Sequence, residues 1–260
     1  MNILDQLAEH ARERTEQAKR ELPFARLQAE ALGMPRGDFA FEKALKKDRL
    51  TFICECKKAS PSRGLIAESF PYLAIAKDYE AAGADAVSVL TEPKWFLGSD
   101  RYLREIAAAV SIPCLRKDFT VDQYMIYEAK MLGASAVLLI CALLEKERLK
   151  DFLACCDGLG LSALVEAHDE REIETALQVG ARVIGVNNRN LKDFRVDTDL
   201  SRRLRRLIPP EILFVSESGV RDEKDVAALR EIGADAVLVG EALMRAEDRK
   251  ATLKKWRDGE

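Results

Sequence analysis

Gly83-Ala84-Asp85-Ala86-Val87-Ser88-Val89-Leu90 returns three more times along this chain of 260 residues, and the repetition decides its fold. Each Gly-Ala pair follows an amphipathic helical pattern, so the glycine is predicted to be a helix C-cap. The apolar run after it is typical of a strand that is buried on both faces. The other copies are Gly133-Ala134-Ser135-Ala136-Val137-Leu138-Leu139-Ile140, Gly180-Ala181-Arg182-Val183-Ile184-Gly185-Val186-Asn187 and Gly233-Ala234-Asp235-Ala236-Val237-Leu238-Val239-Gly240.

The spacing of these copies predicts eight strands. Their glycines are 50, 47 and 53 residues apart, about twice the length of one strand–helix unit. A second apolar run lies between successive copies, at 113–117, 162–166 and 212–217, and another precedes them at 51–57. Eight strands alternating with helices predict an α/β fold, a closed (β/α)8 TIM barrel. The alternative is an open doubly wound sheet, but its Gly-x-Gly-x-x-Gly turn is missing.

A helical segment precedes the first predicted strand. Ile3, Leu4, Leu7 and Ala8 recur at helical spacing, which predicts that residues 1–48 form an N-terminal helical extension packed on the barrel. Residues 49–260 are predicted to be a single catalytic barrel domain, since barrels of this class run to about 250 residues. Because the chain ends after the eighth unit, we expect no second fused barrel.

Composition excludes several classes of protein. The net charge of −3 gives no electrostatic reason to expect nucleic acid or membrane partners. No apolar run approaches the roughly 20 residues that cross a bilayer, and the charged start does not resemble a signal peptide. Six cysteines in apolar surroundings predict reduced thiols and a cytoplasmic location. With two histidines and no second Cys pair, we expect no metal site.

The odd-numbered predicted strands share one pattern, an apolar residue two positions before a charged one. The charged residues are Glu55, Lys117, Glu166 and Glu217. Alternate strands of a (β/α)8 barrel contribute one layer of side chains, so these four should meet at the C-terminal mouth. Glu55 or Glu166 is expected to keep Lys117 protonated. Buried charges need partners or a ligand, and a purely structural ion-pair plug is the alternative to an active site.

Two glycine turns predict a phosphate site. Gly219 follows the seventh strand after Ser218, and Gly240 follows the eighth, each just before a helix. Glycine lets backbone N–H groups approach an anion, and these two loops form the usual phosphate grip of this fold. We expect Lys57 and Ser60 to complete the site. The alternative interpretation is that both are ordinary loop glycines.

Two further loops carry candidate substrate contacts. Trp95 and Phe96 follow the second strand and would suit an aromatic ring, although a small capped core is an equal alternative. Asn187 ends the sixth strand and offers amide hydrogen bonds. Arg189 follows it and offers a fork for a carboxylate.

These motifs together resemble the indole-3-glycerol-phosphate synthase family, from about residue 40 to 245. Other phosphate-binding barrels share only the two phosphate turns, so the combination is specific. The segments that carry the resemblance are Glu55-Cys56-Lys57-Lys58-Ala59-Ser60-Pro61-Ser62, Leu90-Thr91-Glu92, Phe96-Leu97-Gly98-Ser99, Arg116-Lys117-Asp118-Phe119, Leu164-Val165-Glu166, Ile184-Gly185-Val186-Asn187-Asn188-Arg189, Ser216-Glu217-Ser218-Gly219 and Leu238-Val239-Gly240.

The resemblance implies a carbon–carbon lyase of tryptophan biosynthesis. Such an enzyme converts 1-(2-carboxyphenylamino)-1-deoxyribulose 5-phosphate to indole-3-glycerol phosphate, CO2 and water, with no metal or organic cofactor. It implies a phosphorylated small-molecule substrate as the partner. Interaction with other enzymes of the pathway stays an open question.

The resemblance also implies residue roles. Lys117 would be the general acid for ring closure, and Glu166 would protonate the departing hydroxyl. Lys57 would hold phosphate and share the acid roles with Lys117 in a way that the sequence leaves open. Glu55 and Asn187 would orient the substrate, Glu217 and Ser218 would complete the polar ring, Phe96, Phe119 and Pro61 would cover the aromatic ring, and Lys58 would add positive charge at the mouth.

Two alternative functions remain from the sequence. One is another phosphosugar barrel enzyme such as a phosphoribosylanthranilate isomerase, which would share the phosphate loops but would not need Lys117 and Glu166 together. The other is a phosphosugar-binding barrel that has lost catalysis.

Overall fold

The computed structural model describes residues 2–190 and 194–259, and its centre is a closed barrel of eight parallel strands. In chain order, the barrel strands are Thr51–Cys56, Ala86–Leu90, Cys114–Lys117, Ala136–Ile140, Ser162–Ala167, Val183–Asn187, Leu213–Glu217 and Ala236–Val239. Each strand pairs with the next along the chain, and the first closes on the last through Ile53 opposite Leu238. The predicted (β/α)8 barrel is confirmed, and the open sheet is excluded.

Helices lie between the strands and before them. Those that follow barrel strands are Tyr72–Ala81, Asp100–Ala109, Gln123–Met131, Lys146–Leu159, Glu170–Gln178, Asp199–Arg205, Glu223–Glu231, Glu241–Arg245 and Arg249–Asp258. Three precede the barrel, Ile3–Glu21, Phe24–Gly33 and Ala40–Leu45. A short antiparallel hairpin follows the first barrel strand, and its two strands, Ala59–Ser60 and Gly64–Leu65, have two residues each. Within the described residues, no helix is long and apolar enough to cross a membrane.

The four repeated glycines each lie one residue beyond the observed C-cap of the preceding helix. The observed C-cap residues are Ala82, Leu132, Val179 and Ile232, and each following glycine has a φ between 70° and 86°. The N–H of Gly83 donates to Glu80, and that of Ala84 donates to Tyr79, which closes the helix end. The predicted capping role of these glycines is confirmed, with each glycine as the left-handed residue directly after the cap.

An apolar floor fills the barrel beneath the mouth. Ile53, Leu115, Leu164 and Val215 are fully buried there. Each is two residues before a charged residue on the same strand and so points to the same side. The pattern on the odd-numbered strands therefore places a dry layer directly below a charged one.

The first helix, Ile3–Glu21, lies against the mouth of the barrel. Leu4, Leu7 and Ala11 on its inner face are buried. Arg14 donates two hydrogen bonds to Asp118, at 2.8 and 3.2 Å, and thereby anchors the helix beside Lys117. The helix is positioned to contact whatever occupies the mouth.

Candidate active site

A cavity of about 600 Å³ opens at the C-terminal ends of the barrel strands, a volume typical of small-molecule sites. The first helix contributes Ile3 and Leu7 to its wall. All but one of the residues predicted to be catalytic or substrate-binding line it: Glu55, Lys57, Ser60, Pro61, Phe96, Lys117, Phe119, Glu166, Asn187, Arg189, Glu217, Ser218, Gly219 and Gly240.

Lys58 is the exception among the predicted residues. It does not line the cavity, and its carbonyl oxygen accepts hydrogen bonds from the N–H groups of Ile66 and Ala67. Lys58 lies beyond the first strand, which ends at Cys56. Its contribution to the charge of the mouth stays a prediction, and around the cavity six cationic side chains face five acidic ones.

Lys117 is shared by two carboxylates. Its Nζ lies 3.2 Å from Glu217 Oε2 and 3.8 Å from Glu166 Oε2. Burial lowers the pKa of the ammonium, but the charges of Glu217, Glu166 and Glu55 outweigh this and raise the pKa above its usual value. Glu166 is thus within the predicted reach of Lys117, whereas Glu217, which was not predicted as a partner, lies nearest and Glu55 acts from farther away.

Glu217 has an unusual protonation equilibrium. Burial, helped by the negative charge of nearby Glu166, raises the pKa of Glu217 to about 7 despite the contact with Lys117. Space for this carboxylate comes from the neighbouring strand, since a Cβ at Gly185 would collide with Glu217 Oε1. Near neutral pH, one buried group at the mouth can therefore hold or release a proton.

Glu55 and Lys57 form a second acid–base pair across the mouth. Glu55 Oε1 lies 2.5 Å from Lys57 Nζ, and Ser88 Oγ donates to Glu55 Oε2 at 3.2 Å. Burial raises the pKa of Glu55, but the charges of Lys57 and Lys117 outweigh it, so the pKa lies below the ordinary value. Glu55 therefore stays ionised at neutral pH.

The turn after the seventh strand has the geometry of an anion site. Ser218 and Gly219 both have positive φ, 65° and 99°. Asn188 holds this turn, because its Nδ2 donates to the carbonyl of Ser218 at 3.0 Å and to Ser216 Oγ at 3.2 Å. Successive backbone N–H groups in a turn can form an anion-binding concavity.

Gly240 lies at the other side of the same region. A Cβ there would lie 2.7 Å from Glu55 Oε1 and 3.3 Å from Lys57 Nζ. Glycine is therefore required for backbone to approach the Glu55–Lys57 pair. It also opens the N-terminus of the helix Glu241–Arg245 toward the cavity.

Phe96 and Phe119 form the aromatic wall, with ring centroids 6.0 Å apart. The buried carboxylate of Glu92 fixes the loop by accepting N–H groups from Lys94, Trp95 and Phe96. The indole ring of Trp95 packs edge-on against His10 instead, with centroids 5.4 Å apart. The two adjacent aromatics thus divide, one facing the cavity and the other the N-terminal helix.

Asn187 and Arg189 follow the sixth strand on either side of Asn188. Asn187 Nδ2 donates to Glu166 Oε2 at 3.1 Å, and its Oδ1 accepts the N–H of Arg189. Burial lowers the pKa of the Arg189 guanidinium. One amide therefore orients both the acid Glu166 and the loop that carries Arg189.

Four residues that support the site were not predicted from the sequence. Ser88 donates a hydrogen bond to Glu55, and Gly185 leaves space for the Glu217 carboxylate. His168 lies 3.4 Å from Glu166. Thr91 donates to Asp118 at 2.6 Å. A serine among apolar residues in the second strand and a glycine inside the sixth were the only signals of these roles in the sequence.

In the described part of the chain, no cluster of His, Cys, Asp and Glu side chains is arranged to hold a metal ion. The polar groups of the cavity instead face one another or face the open volume.

The fold is a closed (β/α)8 barrel, and its C-terminal mouth carries an acid–base layer and two glycine turns. These features define the class of barrel enzymes that act on phosphorylated small molecules. The sequence profile of indole-3-glycerol phosphate synthase matches residues 4–256. The chain therefore belongs to the indole-3-glycerol phosphate synthase family.

Individual relatives agree along nearly the whole chain. An indole-3-glycerol phosphate synthase of Ruminiclostridium cellulolyticum is 59% identical over 256 residues, covering 98% of both chains. One of Endomicrobium trichonymphae is 52% identical, covering 98% of this chain and 100% of the relative. Among solved structures, a thiamine phosphate pyrophosphorylase from Pyrococcus furiosus has a TM-score of 0.61 at 16% identity, over 84% of this chain and 96% of its own. That likeness shows the fold alone.

The family assignment fixes the reaction class. The protein is a carboxy-lyase that forms indole-3-glycerol phosphate in tryptophan biosynthesis, with a phosphorylated small molecule as its substrate. The expected function is confirmed over the isomerase alternative. The individual roles of the residues at the mouth stay predictions.

Proposed function

We propose that Lys117 is the acid that starts the reaction and that the remaining mouth residues serve binding and dehydration. The observation that carries this proposal is the position of Lys117, whose ammonium is held between Glu217 and Glu166 above a dry floor. A cation in a water-poor layer stabilises developing negative charge far better than it would in water. Ring closure develops such a charge on the ketone oxygen.

In ring closure, the aryl carbon that bears the carboxylate attacks the ketone carbon. The carbonyl π electrons move to oxygen, and that oxygen takes a proton from Lys117 Nζ to become a hydroxyl group. Loss of CO2 then breaks the carbon–carboxylate bond and restores the aromatic ring. Lys117 ends this stage neutral and must regain a proton.

In dehydration, the new hydroxyl leaves as water after it is protonated, and a base removes a proton from the adjacent methylene carbon. Glu166 is proposed to protonate the hydroxyl, supported by its contacts with Asn187 and Lys117. Lys57 is the other candidate acid. Glu55, which stays ionised beside Lys57, then accepts the methylene proton or orients the anilino nitrogen.

Binding falls to the remaining side chains of the cavity. Lys57, Ser60 and the backbone at Gly219 and Gly240 take the phosphate. Arg189 takes the carboxylate as a fork, and Phe96, Phe119 and Pro61 cover the ring. Glu217 and Ser218 complete the polar ring at the mouth.

The N-terminal segment 1–48 is proposed to act with the barrel, residues 49–260, as one catalytic unit. Its support is that Ile3 and Leu7 line the cavity. The proposed location is the cytoplasm, which suits six free thiols.

Turnover of the purified chain tests this function. Indole absorbance should grow from the carboxyphenylamino sugar phosphate, with one CO2 released per product. The absence of turnover in a folded protein that still binds the substrate would favour the alternative of a barrel that has lost catalysis.

A further inference from the structure

A row of ionisable side chains continues outward from the mouth through His168. Its Nδ1 lies 3.1 Å from Glu172 Oε2, and its backbone N–H donates to the same oxygen at 2.7 Å. On the other side, Nε2 lies 3.4 Å from Glu166 Oε1. The ring is thus held between a carboxylate of the helix Glu170–Gln178 and a carboxylate of the acid–base layer.

Glu166 is oriented so that its two oxygens face different ways. Oε2 faces the mouth, where it accepts from Asn187 Nδ2 and lies 3.8 Å from Lys117 Nζ. Oε1 is the oxygen near His168. His168 itself does not line the cavity. Nε2 of His168 is buried and makes no hydrogen bond within the described residues. Glu166 Oε1, 3.4 Å away, is the acceptor that faces it.

The reaction needs a supply of protons. The substrate enters with an ionised carboxylate, and the products are CO2, water and a phosphate ester that has one negative charge fewer. One proton must therefore enter from solvent in each turnover. Lys117 and the dehydration acid each give one proton, and only one returns from the methylene carbon. A substrate in the mouth takes the place of water beside these acids, so a second route would let the proton enter during the reaction.

Exposure rises along the row from the mouth to the surface. The side chain of Glu166 is 2% exposed, that of His168 17% and that of Glu172 20%. The row is therefore a path from water to the acid that bypasses the substrate cavity.

We infer that His168 is a positioning residue that delivers one proton per turnover from solvent to Glu166. The Nε2–H bond breaks, nitrogen keeps the electron pair, and the proton goes to Glu166 Oε1. The neutral ring keeps its Nδ1–H until the proton has passed to Glu166. It then turns outward, which its partly exposed position allows, and Nε2 takes a proton from water before the ring returns. This inference rests on the proposed role of Glu166 as an acid.

The charges around the ring favour this role. Burial lowers the pKa of His168, but the hydrogen bond to Glu172 and the charges of the nearby carboxylates outweigh it and raise the pKa. The imidazolium, which is the form that can donate, therefore persists to higher pH than in an unperturbed histidine. The titratable groups that act on the ring are Glu172, Glu166 and Glu217. Glu166 and Glu217 also contact Lys117, and Glu172 and Glu166 also act on the thiol of Cys141.

The test uses His168→Gln, with His10→Gln as the matched control. His10 is the other histidine of the chain, is similarly exposed, and also contacts a carboxylate, Glu92, at 3.0 Å. For His168→Gln at pH 8 we expect kcat to fall about tenfold, less than the 10²-fold or more of a group acting on substrate itself. Imidazole added to the buffer should restore kcat, while KM stays near its original value. Imidazole should leave the wild type and the His10 variant unaffected.

A second measurement separates the relay from the chemistry. In a single turnover with excess enzyme and a pH indicator, proton uptake should lag behind indole absorbance in His168→Gln and accompany it in the wild type. Simultaneous uptake in the variant, or a loss of kcat that imidazole does not restore, overturns the relay. A near-wild-type rate for Glu166→Gln would instead overturn the proposed function on which it rests.

If His168→Gln fails to fold, Glu172→Gln is the second variant, because it leaves the imidazole ring of His168 in place. Loss of the carboxylate lowers the pKa of His168, so the alkaline fall of kcat should move to lower pH. An unmoved alkaline limb would contradict the relay.

Discussion

The two lysine–carboxylate groups at the barrel mouth use the same residue types in different surroundings. Lys117 is shared between Glu217 and Glu166 in the buried layer. Lys57 is 20% exposed and pairs with Glu55 beside the Gly240 turn. A lysine shared by carboxylates is held charged for proton transfer, whereas a lysine beside a glycine turn suits an anion. Surroundings, rather than residue type, separate the two proposed roles.

Lys117→Met removes the charge and keeps an apolar stem of similar length. Because acid catalysis and stabilisation of the alkoxide are lost together, we expect kcat to fall on the order of 10³-fold or more. Steady-state kinetics measure this, and circular dichroism checks the fold. A rate within about tenfold of wild type, which is less than one positioned acid usually supplies, would move the first acid to Lys57 or water.

Lys57→Met sharpens the same comparison by separating the steps. If Lys57 only holds phosphate, KM rises while CO2 and indole appear together. If it is the acid for dehydration, CO2 from a labelled carboxylate appears before indole absorbance, because the ring-closed alcohol accumulates. In Lys117→Met, both signals should slow equally.

Glu166→Gln should have the next largest effect. The amide keeps the shape and the hydrogen bond to Asn187 but has no proton to exchange, so we expect kcat to fall roughly 10²-fold or more. Glu170→Gln, an exposed change in the following helix, is the matched control. Equal rates for the two variants would remove Glu166 from the proton chemistry and leave Lys117 without its proposed second acid.

Gly240→Val tests the phosphate side of the comparison. Its Cβ would press on Glu55 Oε1 and Lys57 Nζ, so KM should rise about tenfold or more with a smaller change in kcat, as loss of uniform binding predicts. Gly33→Val is the control, since a Cβ there meets nothing within 4 Å. An unchanged KM in the folded variant would place the phosphate elsewhere.

The smallest expected effect concerns stability against pH. A Glu titrates near about 4.3 when unfolded, but the pKa of folded Glu217 is raised to about 7 by burial. The folded state therefore binds more protons in this window, and the free energy of unfolding falls as pH rises through it. Removing the carboxyl of Glu217 should therefore make the free energy of unfolding depend less on pH between pH 5 and pH 8.

Thermal unfolding of Glu217→Gln at pH 5 and pH 8 measures the difference. At about 2–4 °C per kcal/mol for a chain of this size, the gap in Tm between the two pH values should shrink by roughly 5 °C. Glu55→Gln should change the gap less, because Glu55 itself stays ionised across this window and is the smallest of the charges that raise the pKa of Glu217. Equal gaps for Glu217→Gln and wild type would contradict the assignment.

Much of the fold followed from the sequence because parallel strands buried on both faces leave a strong apolar pattern. Strand ends were less predictable. The third strand begins at Cys114, one residue after Pro113, whose ring has no N–H for the ladder. The fifth extends to Ala167, one residue beyond the prediction.

The charged layer followed from alternation along the odd-numbered strands, but its internal pairing did not. Which carboxylate lies nearest Lys117 depends on the stagger between strands, and alternation does not encode that stagger. The position of His168 beside Glu166 was not predicted, because His168 lies in a loop one residue past the fifth strand, where no periodicity applies. Lys58 lies two residues past the end of the first strand at Cys56, where alternation no longer predicts the direction of a side chain.

Gly185 has a consequence for how this barrel can evolve. It touches no proposed substrate group, yet a methyl group there would occupy the space of the Glu217 carboxylate from the neighbouring strand. The two positions therefore form an epistatic pair, in which a larger residue at 185 is tolerated only with a smaller one at 217. Single substitutions would mark Gly185 as intolerant for a reason that lies on another strand. A substitution at Glu217 would therefore have to precede one at Gly185.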